Sequence, residues 1–90
     1  MIELGGNIKL IQFEEIEPGL LIVIKKIVGN YTKRFSENLP EFKSIEVTLE
    51  DVIANRIKVK VEYSDVKEST AEDKNLFFAL DKALSSILKQ

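Results

Sequence analysis

The chain has 90 residues and a formal charge of −2, with 13 Lys and Arg against 15 Asp and Glu. The lack of Cys and His excludes disulfides, thiolate nucleophiles, zinc–thiolate sites and imidazole acid–base chemistry. The length predicts a single domain, residues 1–90, and the charge balance means that nucleic-acid binding needs a local basic patch. With no signal peptide or membrane-spanning run in the sequence, we expect a cytoplasmic protein without a membrane partner.

The N-terminal segment, residues 1–13, is predicted to be one strand. Apolar and polar residues alternate at its start, and apolar residues resume after Gly5 and Gly6. Two glycines inside a strand are typical of a bulge or bend, and they also suit a place where a partner's backbone approaches closely. We favour the bulge or bend.

A helix is predicted from Pro18 to Ser36. Proline suits the first turn of a helix, where its missing N–H is not needed. At 3.6 residues per turn, one broad apolar stripe of this helix contains Leu20, Val23, Ile24, Ile27, Val28, Tyr31 and Phe35. The competing interpretation is a hairpin, with a turn at Pro18 and Gly19 and a strand through the β-branched run 22–24. We favour the helix because its period continues through Phe35.

Two strands of a hairpin are predicted between Ser44 and Tyr63, where apolar and polar residues alternate on both sides of a turn. If the turn is centred on Ile53, one register satisfies both faces of the hairpin. That register pairs Ile45 with Val61, Val47 with Val59, Leu49 with Ile57, Glu46 with Lys60, Thr48 with Lys58, and Glu50 with Arg56.

After the hairpin, the polar stretch 64–71 suits either a short edge strand or a loop. Capping-box spacing occurs twice near its end, in the pairs Ser69–Glu72 and Thr70–Asp73. The last helix is therefore predicted from Ala71 to Lys89. Its inward face contains Leu76, Phe77, Leu80, Ala83, Leu84, Ile87 and Leu88.

This order of elements predicts an α+β fold, a two-layer sandwich of the form β-α-β-β-(β)-α. Both helices are expected to pack on one face of a mostly antiparallel sheet. The other face of the sheet is expected to stay open to solvent.

The first predicted helix carries a basic patch that suits a phosphate backbone. Between Pro18 and Ser36 the sequence has no acidic residue and four cations: Lys25, Lys26, Lys33 and Arg34. On a helical wheel the three lysines point away from the apolar stripe, while Arg34 lies nearer to it. The alternative interpretation is the ordinary solvated face of a helix.

The open face of the predicted hairpin carries charges of both signs, at Glu46, Glu50, Arg56, Lys58 and Lys60. Lys58 and Lys60 are the further candidates for nucleic-acid contact. Cross-strand charge pairs that keep a sheet face soluble explain the same pattern, and we favour that explanation for the ladder as a whole.

Four residues are candidates for a protein partner or a dimer contact: Val52, Ile53, Phe78 and Lys82. Phe78 projects almost opposite to the apolar face of the last helix, among lysines that include Lys82, where a ring suits an anchor or a stack on a base. Val52 and Ile53 are expected at the exposed hairpin tip. Single exposed aromatic residues are also common without any function.

No residue is predicted to be catalytic. Carboxylates are close in sequence at Glu14, Glu15 and Glu17, and again at Glu50 and Asp51. They have no calcium-loop spacing, no phosphate-binding glycine motif and no nucleophile paired with a base. We therefore expect a non-enzymatic binding protein without a metal or a cofactor.

Three parts of the sequence carry short motifs. Residues 2–8 read IELGGNI, and the first predicted helix contains Lys25-Lys26-Ile27 and Arg34-Phe35. The C-terminal segment contains Glu72, Asp73, Phe77, Ala79, Leu80, Asp81, Ala83 and Gln90. These segments resemble the ribosome hibernation factor family, also called the protein Y or ribosome-associated inhibitor family. Its members begin with an apolar-acidic-apolar strand and Gly-x-Asn-Ile. Their last helix opens with an acidic pair and an aromatic residue, followed by Ala-Ile-Asp-x-Ala and a late Gln.

The resemblance implies a β-α-β-β-β-α domain that sits on the small ribosomal subunit through basic side chains and blocks translation under stress. The second hypothesis is a homodimeric adaptor or assembly subunit that binds proteins and no nucleic acid. The predicted order of elements is also similar to that of the small dimeric subunit of the KEOPS tRNA-modification complex. Under either hypothesis we expect a homodimer.

Overall fold

The computed structural model describes residues 1–90 and contains five strands and two helices. The elements are β1 (Ile2–Leu4), β2 (Ile8–Ile11), α1 (Pro18–Asn38), β3 (Ser44–Asp51), β4 (Arg56–Glu62), β5 (Val66–Glu72) and α2 (Leu76–Lys89). They form the predicted α+β fold, in which two helices pack against one face of an open sheet.

The five strands lie in the order β1-β2-β3-β4-β5. Strands β2 and β3 are parallel, and the other three neighbouring pairs are antiparallel. Helix α1 is the crossover that the parallel pair requires. The sheet is therefore mixed and mostly antiparallel, as the sequence predicts.

The N-terminal segment forms two strands, so the prediction of one strand with a bulge or bend is wrong. Leu4 of β1 pairs with Ile8 of β2, and the chain reverses between them. Gly5 has φ +66° and Gly6 has φ +82°, a conformation that residues with a Cβ rarely adopt. The two glycines make a hairpin turn, and the chain reversal places β1 at the edge of the sheet.

Helix α1 confirms the predicted helix and excludes the alternative hairpin, although it extends to Asn38. Its buried side chains are Ile24, Val28, Thr32 and Phe35. Leu20 and Val23, which were predicted to face inward, are 40% and 43% exposed. The hydroxyl of Thr32 donates a hydrogen bond to the carbonyl oxygen of Val28 at 2.7 Å. This bond satisfies the buried hydroxyl group of Thr32. The buried face of α1 therefore includes Thr32 and is rotated slightly about the helix axis relative to the predicted apolar stripe.

The register of the β3–β4 hairpin is the predicted one at five of the six pairs, from Ile45 with Val61 to Leu49 with Ile57. The sixth pair is wrong because an irregularity after Leu49 shifts the register, and the backbone partner of Arg56 is Asp51. The Arg56 guanidinium still lies 3.7 Å from a carboxylate oxygen of Glu50.

Strand β5 pairs with β4 along its whole length, so the stretch after the hairpin is an edge strand and not a loop. The two predicted capping boxes lie at the end of β5 and do not begin a helix. Asn75 caps α2, because its side-chain oxygen accepts hydrogen bonds from the backbone N–H groups of Phe77 at 2.8 Å and Phe78 at 3.2 Å. The helix therefore begins at Leu76, five residues later than predicted.

A core of 16 buried side chains joins the sheet to the two helices. Its members are Leu10, Phe13, Ile24, Val28, Phe35, Ile45, Val47, Leu49, Ile57, Val59, Val61, Ala79, Leu80, Ala83, Leu84 and Ile87. Both helices thus cover the same face, and the outer faces of the helices and the opposite face of the sheet meet solvent. Neither helix has the length and apolar composition that crossing a membrane requires.

Candidate nucleic-acid interface

Helix α1 carries the four predicted cations. Lys26 and Lys33 lie on its outer side, while Lys25 and Arg34, about two and a half turns apart, lie on opposite flanks. Three of them are exposed, and Lys25 is half-buried. None of the four takes part in an ion pair. We call these four residues the α1 basic face. The helix also contains one carboxylate, Glu37, four residues after Lys33, and it forms no ion pair.

Arg34 is held at the side of α1 by an aromatic ring. Its guanidinium carbon lies 5.1 Å from the centroid of the Tyr31 ring, within the range of a cation–π contact. The Tyr31 hydroxyl donates a hydrogen bond of 2.7 Å to the Asp81 carboxylate of α2. Burial and this hydrogen bond to a carboxylate raise the pKa of Tyr31, so the phenol stays neutral near pH 7. Arg34 is therefore oriented by its contact with Tyr31, and it forms no ion pair.

A hollow of about 360 Å³ lies beside Arg34, where the C-terminal ends of the two helices meet the start of β5. Its lining consists of Arg34, Asn38, Leu39, Lys67, Leu88 and Gln90. The Lys67 ammonium lies 5.8 Å from the centroid of the Tyr63 ring and donates a hydrogen bond of 3.0 Å to the backbone oxygen of Gln90.

Lys67 is a further cation near Arg34 that the sequence interpretation missed. It pairs across the sheet with buried Val61, which places it on the helix side of β5. Side chains alternate between the two faces of a strand, and this alternation places Lys67 on the helix side. The alternation can be applied only once the stretch is known to be a strand.

The two candidate lysines of the open sheet face differ from those of the α1 basic face. The Lys58 ammonium lies 4.0 Å from a carboxylate oxygen of Glu68. Lys60 stands between Glu46 of β3 and Glu68 of β5 in the sheet register. Carboxylates thus surround both lysines and lower the attraction that they offer to a phosphate. Their role in nucleic-acid binding stays a prediction.

The residues predicted to meet a protein partner divide into two kinds. Val52, Ile53 and Phe78 are exposed, with Ile53 at 96% and Phe78 at 61%. The Lys82 ammonium instead donates a hydrogen bond of 2.6 Å to the Asp73 carboxylate. This bond, with one from the backbone N–H of Asn75, lowers the pKa of Asp73. Lys82 is therefore occupied within the chain, while the three apolar side chains are available to a partner.

The end of the molecule near the start of α1 is acidic. A hollow of about 460 Å³ there is lined by Gln12, Glu14, Glu15, Ile16, Leu49, Glu50 and Val52. Glu14 accepts a hydrogen bond from the N-terminal ammonium group, which lowers the pKa of Glu14. No group of three or more carboxylates is placed to hold a metal ion. The carboxylates at this end repel a phosphate backbone.

No protein-family model matches the sequence, and no curated protein matches it. Two solved structures share the fold. The N-terminal domain of Thermus thermophilus protein Y has a TM-score of 0.66 at 19% identity, over 92% of this chain and 90% of that one. A ribosomal subunit interface protein from Coxiella burnetii has a TM-score of 0.53 at 13% identity, over 92% of each chain. The chain therefore has the fold that its sequence resemblance implies, that of the protein Y N-terminal domain.

Proposed function

We propose that this protein is a non-enzymatic, ribosome-associated domain that places the α1 basic face against RNA of the small ribosomal subunit. The observation that carries the proposal is the concentration of four cations on one helix, in a stretch from Pro18 to Ser36 that contains no acidic residue. None of the four forms an ion pair. The shared fold with two ribosome-related proteins supports the choice of partner.

The charge distribution explains how a chain with a net charge of −2 binds a polyanion. Charges separated by more than about 10 Å are largely screened at 0.1 M salt, so the local cations dominate the interaction. Four phosphate contacts predict that Kd rises by about 50- to 150-fold between about 50 and 200 mM salt, because binding releases counterions. Arg34 adds a planar donor group that is oriented before binding.

The test is a charge reversal on α1 with a matched control. In the first variant Lys25, Lys26 and Lys33 are replaced by Glu. In the control the exposed residues Lys43, Lys74 and Lys89 are replaced by Glu, which changes the net charge by the same amount. Binding to purified bacterial small ribosomal subunits is measured by co-sedimentation over a range of salt concentrations.

The α1 variant should bind much more weakly than the wild type at every salt concentration. The slope of log K against log salt should fall by about three, one for each lysine that no longer meets a phosphate. The control should keep most of the affinity and the slope of the wild type. Equal losses in both variants, or no binding by the wild type at low salt, would exclude the proposed interface.

Inhibition of translation is the more specific part of the proposal, and it follows if the docked domain covers a functional surface of the subunit. Added to a cell-free translation reaction, the wild type should lower the yield of product, and the α1 variant should not. A wild type that binds the subunit without lowering the yield would show association without inhibition, and would exclude this part of the proposal.

A second candidate function, a homodimeric adaptor, is favoured by the exposed apolar side chains of Val52, Ile53 and Phe78. Large side chains such as those of Ile53 and Phe78 contribute to an interface when a pocket of the partner buries them. If the protein is a homodimeric adaptor, Ile53→Ser and Phe78→Ser should abolish the dimer measured by sedimentation. The charge reversal on α1 should leave that dimer intact. A wild type that is monomeric at high concentration would exclude the dimer.

A further inference from the structure

Gly29 stands in the middle of α1 without an intramolecular reason to be glycine. Its backbone does not have the positive φ that favours glycine, in contrast to Gly5 and Gly6. A Cβ added at Gly29 would meet no other atom within 4 Å. Glycine destabilises the interior of a helix relative to alanine, because it loses more conformational freedom on folding. The free protein would therefore be more stable with alanine at this position.

The surroundings of Gly29 are those of the α1 basic face. Residues three and four positions away are neighbours on a helix surface, and three of the four such neighbours of Gly29 are Lys25, Lys26 and Lys33. Because Gly29 has no side chain, the helix surface is low at this position, and three lysine positions lie next to it on the helix. None of the three lysines is held by a carboxylate.

A low helix surface beside lysines suits one partner chemistry above others. A phosphodiester group carries its charge on two small oxygen atoms, and it gains most when cations reach it from several sides. A side chain at position 29 would stand between the lysines and hold the phosphate away from the helix. Glycine is the residue that permits close approach of a backbone to a ligand.

We propose that Gly29 is the point at which the sugar–phosphate backbone of RNA touches α1, with one phosphate seated among Lys25, Lys26 and Lys33. This inference rests on the proposed function and adds to it the place and the closeness of the contact. It also explains why a helix with a strong apolar pattern keeps a destabilising residue at its centre.

The test uses a size series at Gly29, with a control in the same helix. The variants are Gly29→Ala, Gly29→Leu and Gly19→Leu. A Cβ at Gly19 would meet Oε1 of Glu17 at 3.7 Å, an ordinary van der Waals contact. Gly19 lies ten residues, or about 15 Å, along the helix axis from Gly29. For each variant the Tm is measured, together with the affinity for small ribosomal subunits and for a short labelled RNA duplex.

Gly29→Ala should raise the Tm by about 4 to 8 °C and still weaken RNA binding, and Gly29→Leu should weaken it by about tenfold or more. Stability and affinity then change in opposite directions, which damage to the fold cannot produce. Gly19→Leu should keep the wild-type affinity.

Wild-type affinity in Gly29→Leu, with binding still abolished by reversal of the α1 lysines, would overturn this inference and leave the proposed function standing. In that case the space at Gly29 belongs to a different partner, such as a helix of another protein. No binding by the wild type would instead overturn the proposed function and this inference together.

Discussion

At the scale of single residues, the neighbours of each cation decide what it is free to do. Lys82 and Lys33 are both exposed and both lie on helices, but only Lys82 has a carboxylate within hydrogen-bonding distance. Exposed ion pairs contribute little to stability, typically well under 1 kcal/mol, yet they remove a cation from the set that attracts a polyanion. Sequence alone places both lysines on helix surfaces and cannot distinguish them.

The pair formed by Asp73 and Lys82 predicts a dependence of stability on pH. Because the pKa of Asp73 is lowered in the folded state, the folded chain binds fewer protons than the unfolded chain at acidic pH. The stabilisation is thus complete above the ordinary Asp pKa of about 4, and it is lost as the pH falls through the folded pKa. In urea titrations the midpoint of the wild type should therefore fall with pH more steeply than that of Lys82→Gln.

The control for this prediction is Lys74→Gln, which removes an exposed lysine that forms no ion pair. Its urea midpoint should run parallel to that of the wild type at all pH values. The wild type and Lys82→Gln should converge at the lowest pH, since Asp73 is then protonated in both. A constant difference between these two would show that the pair does not titrate in this way.

At the scale of secondary-structure elements, the glycines show that one residue type can have opposite effects on stability. Gly6 has a positive φ in the turn between β1 and β2, and Gly29 has an ordinary helical conformation in α1. Gly6→Ala should destabilise the protein by about 1 to 2 kcal/mol, because a Cβ clashes in the left-handed region. Gly29→Ala should stabilise it by about 1 kcal/mol.

Chemical denaturation of the two alanine variants measures both free energies of unfolding. The substitution is the same and neither added methyl group meets another atom within 4 Å, so a difference in sign comes from backbone conformation alone. A stabilising Gly6→Ala would contradict a positive φ at Gly6, and a destabilising Gly29→Ala would contradict the ordinary helical conformation and open space at Gly29.

At the scale of the whole molecule, a thin core makes the fold sensitive to a single cavity. Leu80 is fully buried between α2 and the sheet, and it belongs to a core of only 16 side chains. Leu80→Ala should cost about 2 to 5 kcal/mol, which is a large fraction of the roughly 5 to 15 kcal/mol that holds an average domain folded.

Phe78→Ala is the matched control for Leu80→Ala, because Phe78 lies two residues earlier on the same helix and is mostly exposed. It should change the free energy of unfolding by no more than about 0.5 kcal/mol. Urea denaturation at equilibrium compares the two variants. A larger loss from Phe78→Ala than from Leu80→Ala would mean that α2 presents a different face to the sheet.

Charges of opposite sign line different hollows of the molecule. The hollow near the start of α1 is lined by three glutamates, and the hollow at the C-terminal ends of the helices is lined by Arg34 and Lys67. Under the proposed function, this charge distribution directs a polyanion to α1 and towards its C-terminal end. This arrangement makes the proposed binding of RNA compatible with a net charge of −2.

The sequence by itself determined the elements whose pattern is local. Helix α1 and the β3–β4 hairpin were predictable because 3.6-residue and two-residue periods report directly which side of an element meets the core. The same local pattern placed Lys26 and Lys33 on the outer side of α1, and the short motifs at the two ends pointed to the fold that the structure has.

Only the tertiary structure decided the features that depend on a partner segment. Strand β5 has a weak pattern of its own and exists because β4 pairs with it, which moves the start of α2 to Leu76 and brings Lys67 beside Arg34. The two strands at the N-terminus also needed the sheet, since a glycine pair permits a bend or a full reversal equally well. Short-range periodicity carries no information about which distant backbone or carboxylate comes to lie beside a residue, and packing supplies it.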